Sequence, residues 1–282
     1  MLTIGADPEF FIMSAKSGKP VPIIGKLGGT KDEPFRKPEW MQGYAVQEDN
    51  VMAEFNIPAC TEQYEFMGAI DQGRKLVMSL VGRSYKPYPA CFAKFDHETL
   101  RHPQALRFGC SPDNDGYNLG KPHELIKAEQ LNEEDGGWRF AGGHVHLGYR
   151  DDIPWIPPFV MAAMSDAFIA IPLIQHKLDP QGPRRRFYGL PGRFRQTSYG
   201  IEYRTLGNGW TENEVGTDRV GRMAFYMLQM IREASEKTVR GWYHEFPWVA
   251  IRECILNEDA RAAHQLWNAV SHIIGGGKRR VA

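Results

Sequence analysis

Cysteine is scarce in this chain: Cys60, Cys91, Cys110 and Cys254 are widely scattered over 282 residues and form no CxxC pair. That spacing argues against a zinc knuckle or a disulfide framework and leaves reduced thiols in a cytoplasm as the expected state. Net charge is missing too, with 34 basic residues against 34 acidic ones. No overall field draws the chain to nucleic acid or to a membrane, so any recognition of a polyanion must be local. No basic-then-apolar signal opens the sequence, and no apolar run approaches the roughly 18 residues that span a bilayer. A soluble, cytoplasmic protein is the expectation. There is no internal repeat and no linker that would cut the chain. What is present is an ordinary share of hydrophobic residues, 42%, enough for a sizeable core.

The pattern reads as strands first and helices last. Residues 2–13 and 21–24 read as a hairpin around the Ser17-Gly18-Lys19-Pro20 turn. A polar stretch from Gly28 to Glu39 leads to one strand over 44–57. Thr61 then looks like the N-cap of a helix running to Val81, with Phe66, Ile70, Val77 and Leu80 on its core face. Further strands are expected at 88–96, Trp138–Tyr149 and 201–206, with loops at Gly109–Gly120 and 180–199. A helix from Pro157 to Lys177 carries Pro172 as a kink, and from Glu212 the chain reads as helical to a frayed tail. The expected fold class is α+β: a single domain over 1–282, sheet-rich to 210 and helical from 211. Its largely antiparallel sheet has helices on one face and a site on the other.

Four short segments place two polar side chains at i and i+2: Asp7/Glu9 in GADPEFF, Glu54/Asn56 in MAEFNI, His144/His146 in GGHVHLGY and Glu202/Arg204 in GIEYRTL. In a strand that spacing puts each pair on one face, so one sheet could gather all four in a single cavity. Asp7, Glu9, Glu54 and Glu202 would repel one another without cations, and hard oxygen ligands with one imidazole suit Mg²⁺ or Mn²⁺. Arg184, Arg185, Arg186, Arg193 and Arg195 precede the Glu202 strand and Arg204 lies on it. Guanidinium forks bind phosphate or carboxylate, and metals with arginines on one cavity look like a nucleoside triphosphate site. Taken singly the motifs are weak: DPE is more often a turn or cap, and an arginine run is more often a solvated loop. Asp113 and Asp115 lack the downstream glutamate of a calcium loop. His97, His102, His123, His176, His244, His264 and His272 read as surface or capping residues, and Tyr44, Tyr117, Trp138 and Tyr188 as packing before pocket. The order in which all four segments occur carries the weight.

That order resembles the glutamine synthetase superfamily, and GADPEFF, FGCSPD, FAGGHVHLGY and YRTLGNGW together resemble the phage-encoded carboxylate-amine ligase family within it. The resemblance spans about residues 4–210. It implies a glutamine synthetase-like catalytic domain in which Asp7, Glu9, Glu54, His144 and Glu202 bind metal. His146 would face the nucleotide phosphates and Arg204 the transferred phosphoryl group, with Arg193 and Arg195 as further phosphate contacts; Arg184 and Arg186, from the arginine-rich loop itself, are expected at the nucleotide too. Two departures stand out. Glu54 lacks a clear second glutamate, for which Glu48, Asp49 and Asn56 are candidates. Gly200 stands where the superfamily's late strand has an arginine, so a neighbouring guanidinium must supply that charge. The N-terminal domain that completes the glutamine synthetase site between subunits is not expected here, nor is its ring assembly.

The implied activity is an ATP- and Mg²⁺-dependent ligase joining a carboxylate to an amine through an acyl phosphate, with Glu202, Arg204, His146 and Arg193 at the reacting centre. Small-molecule or peptide carboxylates and amines are the expected partners, in the host cytoplasm if the protein is phage-encoded, with the oligomeric state open. The rivals are phosphotransfer as in guanidino kinases, a metal-dependent hydrolase and a non-catalytic relic.

Overall fold

A computed structural model describes residues 1–30, 33, 35–36, 41–107, 113–123 and 137–276. Cys110, most of FGCSPD, parts of the 28–39 stretch and the end of the C-terminal tail lie outside them. The architecture is α+β, and the strands pair antiparallel in several short sheets. A six-stranded sheet runs in the order Thr3–Ala6, Val145–Gly148, Gly200–Tyr203, Arg193–Gln196, Asn114–Asp115 and Lys121–Pro122. A four-stranded sheet runs Glu9–Phe10, Met52–Asn56, Ala45–Asp49 and Phe35–Arg36.

Several expected strands are shorter than the sequence pattern implied, each for a local reason. The 2–13 strand breaks at Pro8, which has no N–H to give a ladder; Thr3–Ala6, Glu9–Phe10 and Ile12–Ser14 then enter three different sheets. The Ser17–Pro20 turn does close a hairpin, pairing Ile12 with Val21. The single strand expected over 44–57 is a hairpin turning at Asn50, whose φ of 58° asparagine tolerates better than most residues. Trp138–Tyr149 divides into Trp138–Phe140 and Val145–Gly148 at the Gly142-Gly143 pair, and 88–96 narrows to Phe92–Lys94. The 180–199 loop holds a missed strand, Arg193–Gln196, hairpinned to Gly200–Tyr203. The N-cap of the Gln63–Val81 helix is Glu62, in a capping box with Glu65, and Thr61 donates to the Glu65 carboxylate.

One face of the six-stranded sheet is apolar. Ile4, Val145, Leu147, Ile201 and Tyr203 are buried in a contiguous core with Met161, Ala162, Phe168, Met223 and Met227. Those partners come from the helices Pro158–Gln175 and Glu214–Glu233. The first of these corrects the expectation about apolar runs: over 18 residues its mean hydropathy is 1.5, enough by length and composition to cross a membrane. It is 78% buried inside the protein, so it reads as a core helix. Its irregularity is a π-turn over Asp166–Ala170, where the Ile171 N–H reaches back five residues to the Asp166 carbonyl. The wider turn immediately precedes Pro172, which has no N–H for the regular ladder. Four helices from Glu214 to Gly276 complete the described C-terminal part. Cys60, Cys91 and Cys254 are buried free thiols.

Candidate active site

Register places the chemistry on the other face of the six-stranded sheet. Gly5 pairs with His146, His146 with Glu202, and Glu202 with Arg195, so these residues form one row across four strands. Asp7 follows the first of those strands and His144 and Arg204 flank the next two. His146 Nε2 lies 3.2 Å from Asp7 Oδ1, and His144 Nδ1 lies 3.4 Å from the same oxygen and 3.3 Å from Glu202 Oε1. Glu202, 1% exposed, is also bound by Arg195 and, at 3.3 Å, by Arg204 Nε. Burial pushes the Asp7 carboxyl up, but His146 and His144 outweigh it and hold Asp7 well below the usual carboxylate range. The reciprocal effect raises His146: burial disfavours its charge, and the Asp7 carboxylate more than offsets that.

The second acidic pair belongs to the other sheet. Glu9 pairs with Glu54 and Glu54 with Gln47, so all three face one way, and Asp49, two residues beyond Gln47, shares that face. Glu9, Asp49 and Glu54 each bring a carboxylate oxygen within 4.8 Å of the others. The two acidic groups therefore sit on separate sheets joined through Asp7-Pro8-Glu9. This corrects the expectation that one sheet gathers all the pairs.

Of the candidates Glu48, Asp49 and Asn56, it is Asp49 whose carboxylate lies beside that of Glu54. Glu48 points the opposite way, where its oxygens accept the backbone N–H groups of Gly25, Lys26 and Leu27 and the amide of Gln104. Asp49 is held by the Asn50 turn, since the Asn50 side chain donates to the carbonyls of Ala105 and Arg107 and accepts from Arg139.

The glycine-rich motifs join the two sheets. Glu9 N–H donates to the Gly142 carbonyl at 2.8 Å, and Gly142 N–H donates to Glu9 Oε2 at 2.8 Å. Asn208, in LGNGW, donates to the Glu9 carbonyl at 2.8 Å, and the Trp210 indole donates to the Gly143 carbonyl at 3.1 Å. A Cβ on Gly143 would collide with the Gly207 carbonyl, so this crossing requires glycine.

A cavity opens beside both groups, lined by Glu9, Asp49, Asp113 and His144 together with Arg184, Arg193 and Arg204. Phe140, Phe187, Tyr188 and Leu190 form an apolar wall. Asp113 sits 3.7 Å from Arg204 Nη1 and 3.9 Å from Arg193 Nε, and Asp115 lies 3.8 Å from Arg193 Nη1. These aspartates are ion-pair partners of the arginines. Burial raises the Asp113 carboxyl despite Arg204 and Arg193. Burial likewise lowers the fully enclosed Arg184, whose Nε has no hydrogen-bond partner.

The remaining arginines separate by position. Arg185 ties the chain to itself, donating to the Gly189 and Thr205 carbonyls and facing Glu258. Arg186 is exposed and does not line the cavity. His146 also departs from its implied place: it is absent from the cavity lining, with one nitrogen at Asp7 and the other at Tyr199.

All seven of the remaining histidines are exposed, as expected. Tyr44 bonds Gln72, and Tyr117 and Trp138 pack against other rings, whereas Tyr188 does line the cavity. Sequence reading missed Arg107 and Arg139 at the cavity as well as Phe140, Phe187 and Tyr199. The alternation in WRF, which sets Arg139 opposite its aromatic neighbours, was an available signal for Arg139.

Residues 119–245 match the family model of the phage phiEco32-like COOH.NH2 ligase-type 2. This is a family of carboxylate–amine ligases, as the motif order implied. The matched stretch carries His144, His146, Arg184, Arg193, Arg195, Glu202 and Arg204, while Asp7, Glu9, Asp49 and Glu54 precede it. Among curated proteins, none matches the chain.

Proposed function

We propose that this carboxylate–amine ligase is ATP- and Mg²⁺-dependent and works through an acyl phosphate on a glutamine synthetase-like catalytic fold. The observation that carries the proposal is that Glu9 and Asp49 line one cavity together with Arg184, Arg193 and Arg204. Three oxygen ligands from Glu9, Asp49 and Glu54 fit a hard divalent ion, and Asp7 and Glu202 with an imidazole fit Mg²⁺ or Mn²⁺ as a mixed set. Such ions, when bound, neutralise charge on phosphate oxygens.

In the reaction a substrate carboxylate oxygen attacks the γ-phosphorus of ATP, the bond to the β–γ bridging oxygen breaks, and ADP departs. The amine nitrogen then attacks the acyl carbon, inorganic phosphate leaves with the C–O electron pair, and the ammonium proton passes to solvent. No protein nucleophile is needed. Arg184, Arg193 and Arg204 spread the charge that develops on the transferred group. Arg195 and Arg204 fix Glu202, and Asp113 holds the guanidiniums of Arg193 and Arg204 in place. Phe140, Phe187, Tyr188 and Leu190 give the cavity apolar surface, which disfavours water beside the acyl phosphate.

Calorimetric titration with a non-hydrolysable ATP analogue tests this reading. Binding should require Mg²⁺ and weaken sharply in Glu202→Gln, and ADP release should then depend on a carboxylate and an amine together. Absence of nucleotide binding with any divalent ion overturns the proposal. Release of a phosphorylated end product, whatever amine is offered, would assign the site to phosphotransfer instead.

A further inference from the structure

Tyr199 sits at the tip of the hairpin that joins Arg193–Gln196 to Gly200–Tyr203, and no catalytic motif includes it. Its hydroxyl lies 2.9 Å from His146 Nδ1, and the two rings are stacked with centroids 6.0 Å apart and planes at 17°. The opposite ring nitrogen, Nε2, is aimed at Asp7 Oδ1 at 3.2 Å. Neither Nε2 nor that oxygen completes a hydrogen bond of good geometry, although both are buried. Asp7, His146 and Glu202 each present a donor atom within 4.8 Å of the others. The backbone of Tyr199 is fixed as well, its carbonyl accepting the N–H groups of Tyr149 and Arg150 at 3.0 and 3.1 Å.

An imidazole has two nitrogens, and the partner of one sets the proton state and direction of the other. We propose that Tyr199 is a positioning residue that holds His146 Nε2 on Asp7 Oδ1, beside the mixed carboxylate–imidazole set of Asp7 and Glu202 assigned above and apart from Glu9, Asp49 and Glu54. The inference rests on the metal-dependent reading above. A ring held only by Asp7 could rotate about χ2 and carry Nε2 away from the carboxylate. With Nδ1 anchored on the phenol and the ring stacked on Tyr199, Nε2 keeps its aim. The same geometry turns His146 away from the cavity, with Nε2 directed at Asp7 and Nδ1 bonded to Tyr199.

The test is Tyr199→Phe, which keeps the stacked ring and removes only the hydroxyl. Because Tyr199 is 41% exposed, the variant should fold, which its unfolding midpoint verifies. Mn²⁺ titration followed by electron paramagnetic resonance should show two classes of site in the wild type. In Tyr199→Phe one class should weaken by about 10-fold or more while the other is unchanged. Glu54→Gln should weaken the class that Tyr199→Phe spares. Imidazole ¹⁵N spectra of the metal-free protein supply a second readout. The His146 ¹⁵N shifts should differ between the wild type and the variant, because the hydroxyl partner of Nδ1 is lost.

Unchanged Mn²⁺ affinities, or identical nitrogen spectra, overturn the role of Tyr199. A wild type that binds no Mn²⁺ overturns both the cation site and the metal-dependent ligase reading. A wild type that binds two Mn²⁺ ions but no nucleotide overturns the ligase reading alone.

Discussion

Arg195 stands directly across the hairpin from Glu202, and their side chains form an ion pair on the site face of the sheet. A Cβ at Gly200 would run into the Leu147 carbonyl and lie 2.8 Å from the Tyr149 ring, so no side chain fits there. The guanidinium comes from the neighbouring strand instead. Glu202→Gln keeps the volume and removes the charge to which Arg195, Arg204 and His144 are directed. Turnover should fall by about 10²-fold or more. Glu202→Ala should in addition lose roughly 3–5 kcal/mol of stability, because it leaves buried cations without a counter-ion. Urea unfolding beside ADP-release assays separates the two effects, and wild-type turnover in Glu202→Gln would remove this residue from the mechanism.

Glu48 and Asp49 are neighbours with opposite expected phenotypes. Glu48 accepts three backbone N–H groups from the Gly25–Leu27 turn, so Glu48→Ala should cost about 2–5 kcal/mol through orphaned donors. Asp49→Asn removes one charge from a three-carboxylate group and leaves the Gly25–Leu27 turn untouched. Its divalent-ion affinity should fall at least 10-fold. Thermal unfolding with and without Mn²⁺ tests the contrast, and a destabilised Asp49→Asn that binds Mn²⁺ normally would reverse the assignment.

The sequence made the side-chain inventory of the site legible, but not the sheets that carry it. Asp7, Glu9, Glu54, His144, Glu202 and Arg204 were visible because each pair sat two residues apart in an apolar run. Their division between two sheets was hidden by Pro8, which reads as one residue within a strand and acts as a switch between ladders. Asp49 remained one of three candidates, because reading 44–57 as one strand concealed the turn at Asn50 that sets its neighbours. The Arg193–Gln196 strand was masked by the surrounding glycine, proline and arginine, although its alternation matches its hairpin partner. Tyr199 carried no local signal; its place beside His146 depends on contacts between strands.

Gly143 and Gly241 separate the cost of a tight crossing from ordinary helix propensity. A methyl at Gly143 would collide with the Gly207 carbonyl and crowd the Trp210 indole nitrogen, the groups through which GGHVH and LGNGW meet. Gly143→Ala should cost more than about 3 kcal/mol or prevent folding. Gly241 lies within the Glu236–Glu245 helix with nothing within 4 Å of an added Cβ. Gly241→Ala should stabilise by roughly 0.5–1 kcal/mol. Soluble yield and unfolding midpoint of the two variants check both signs.

Asp166 should make stability fall between pH 4 and pH 7. It is fully buried in the π-turn and accepts hydrogen bonds from the hydroxyls of Tyr203 at 2.5 Å and Tyr117 at 2.8 Å. Burial raises its carboxyl to about 7, despite the two phenols that favour the charged form. The unfolded chain releases this proton near pH 3.9. Between those values the folded state holds a proton that the unfolded state has lost, so the stabilising contribution is complete below about pH 4. It is lost as pH rises through 7. For about three pH units of difference this amounts to a few kcal/mol. Asp166→Asn has a similar volume and no titration, so it should flatten that part of the profile. Tyr203→Phe removes a donor to the carboxylate and should extend the fall to higher pH by raising the carboxyl further. Urea midpoints measured from pH 4.5 to pH 7.5 on the three proteins decide the matter, and parallel profiles for wild type and Asp166→Asn would show that Asp166 is ionised throughout.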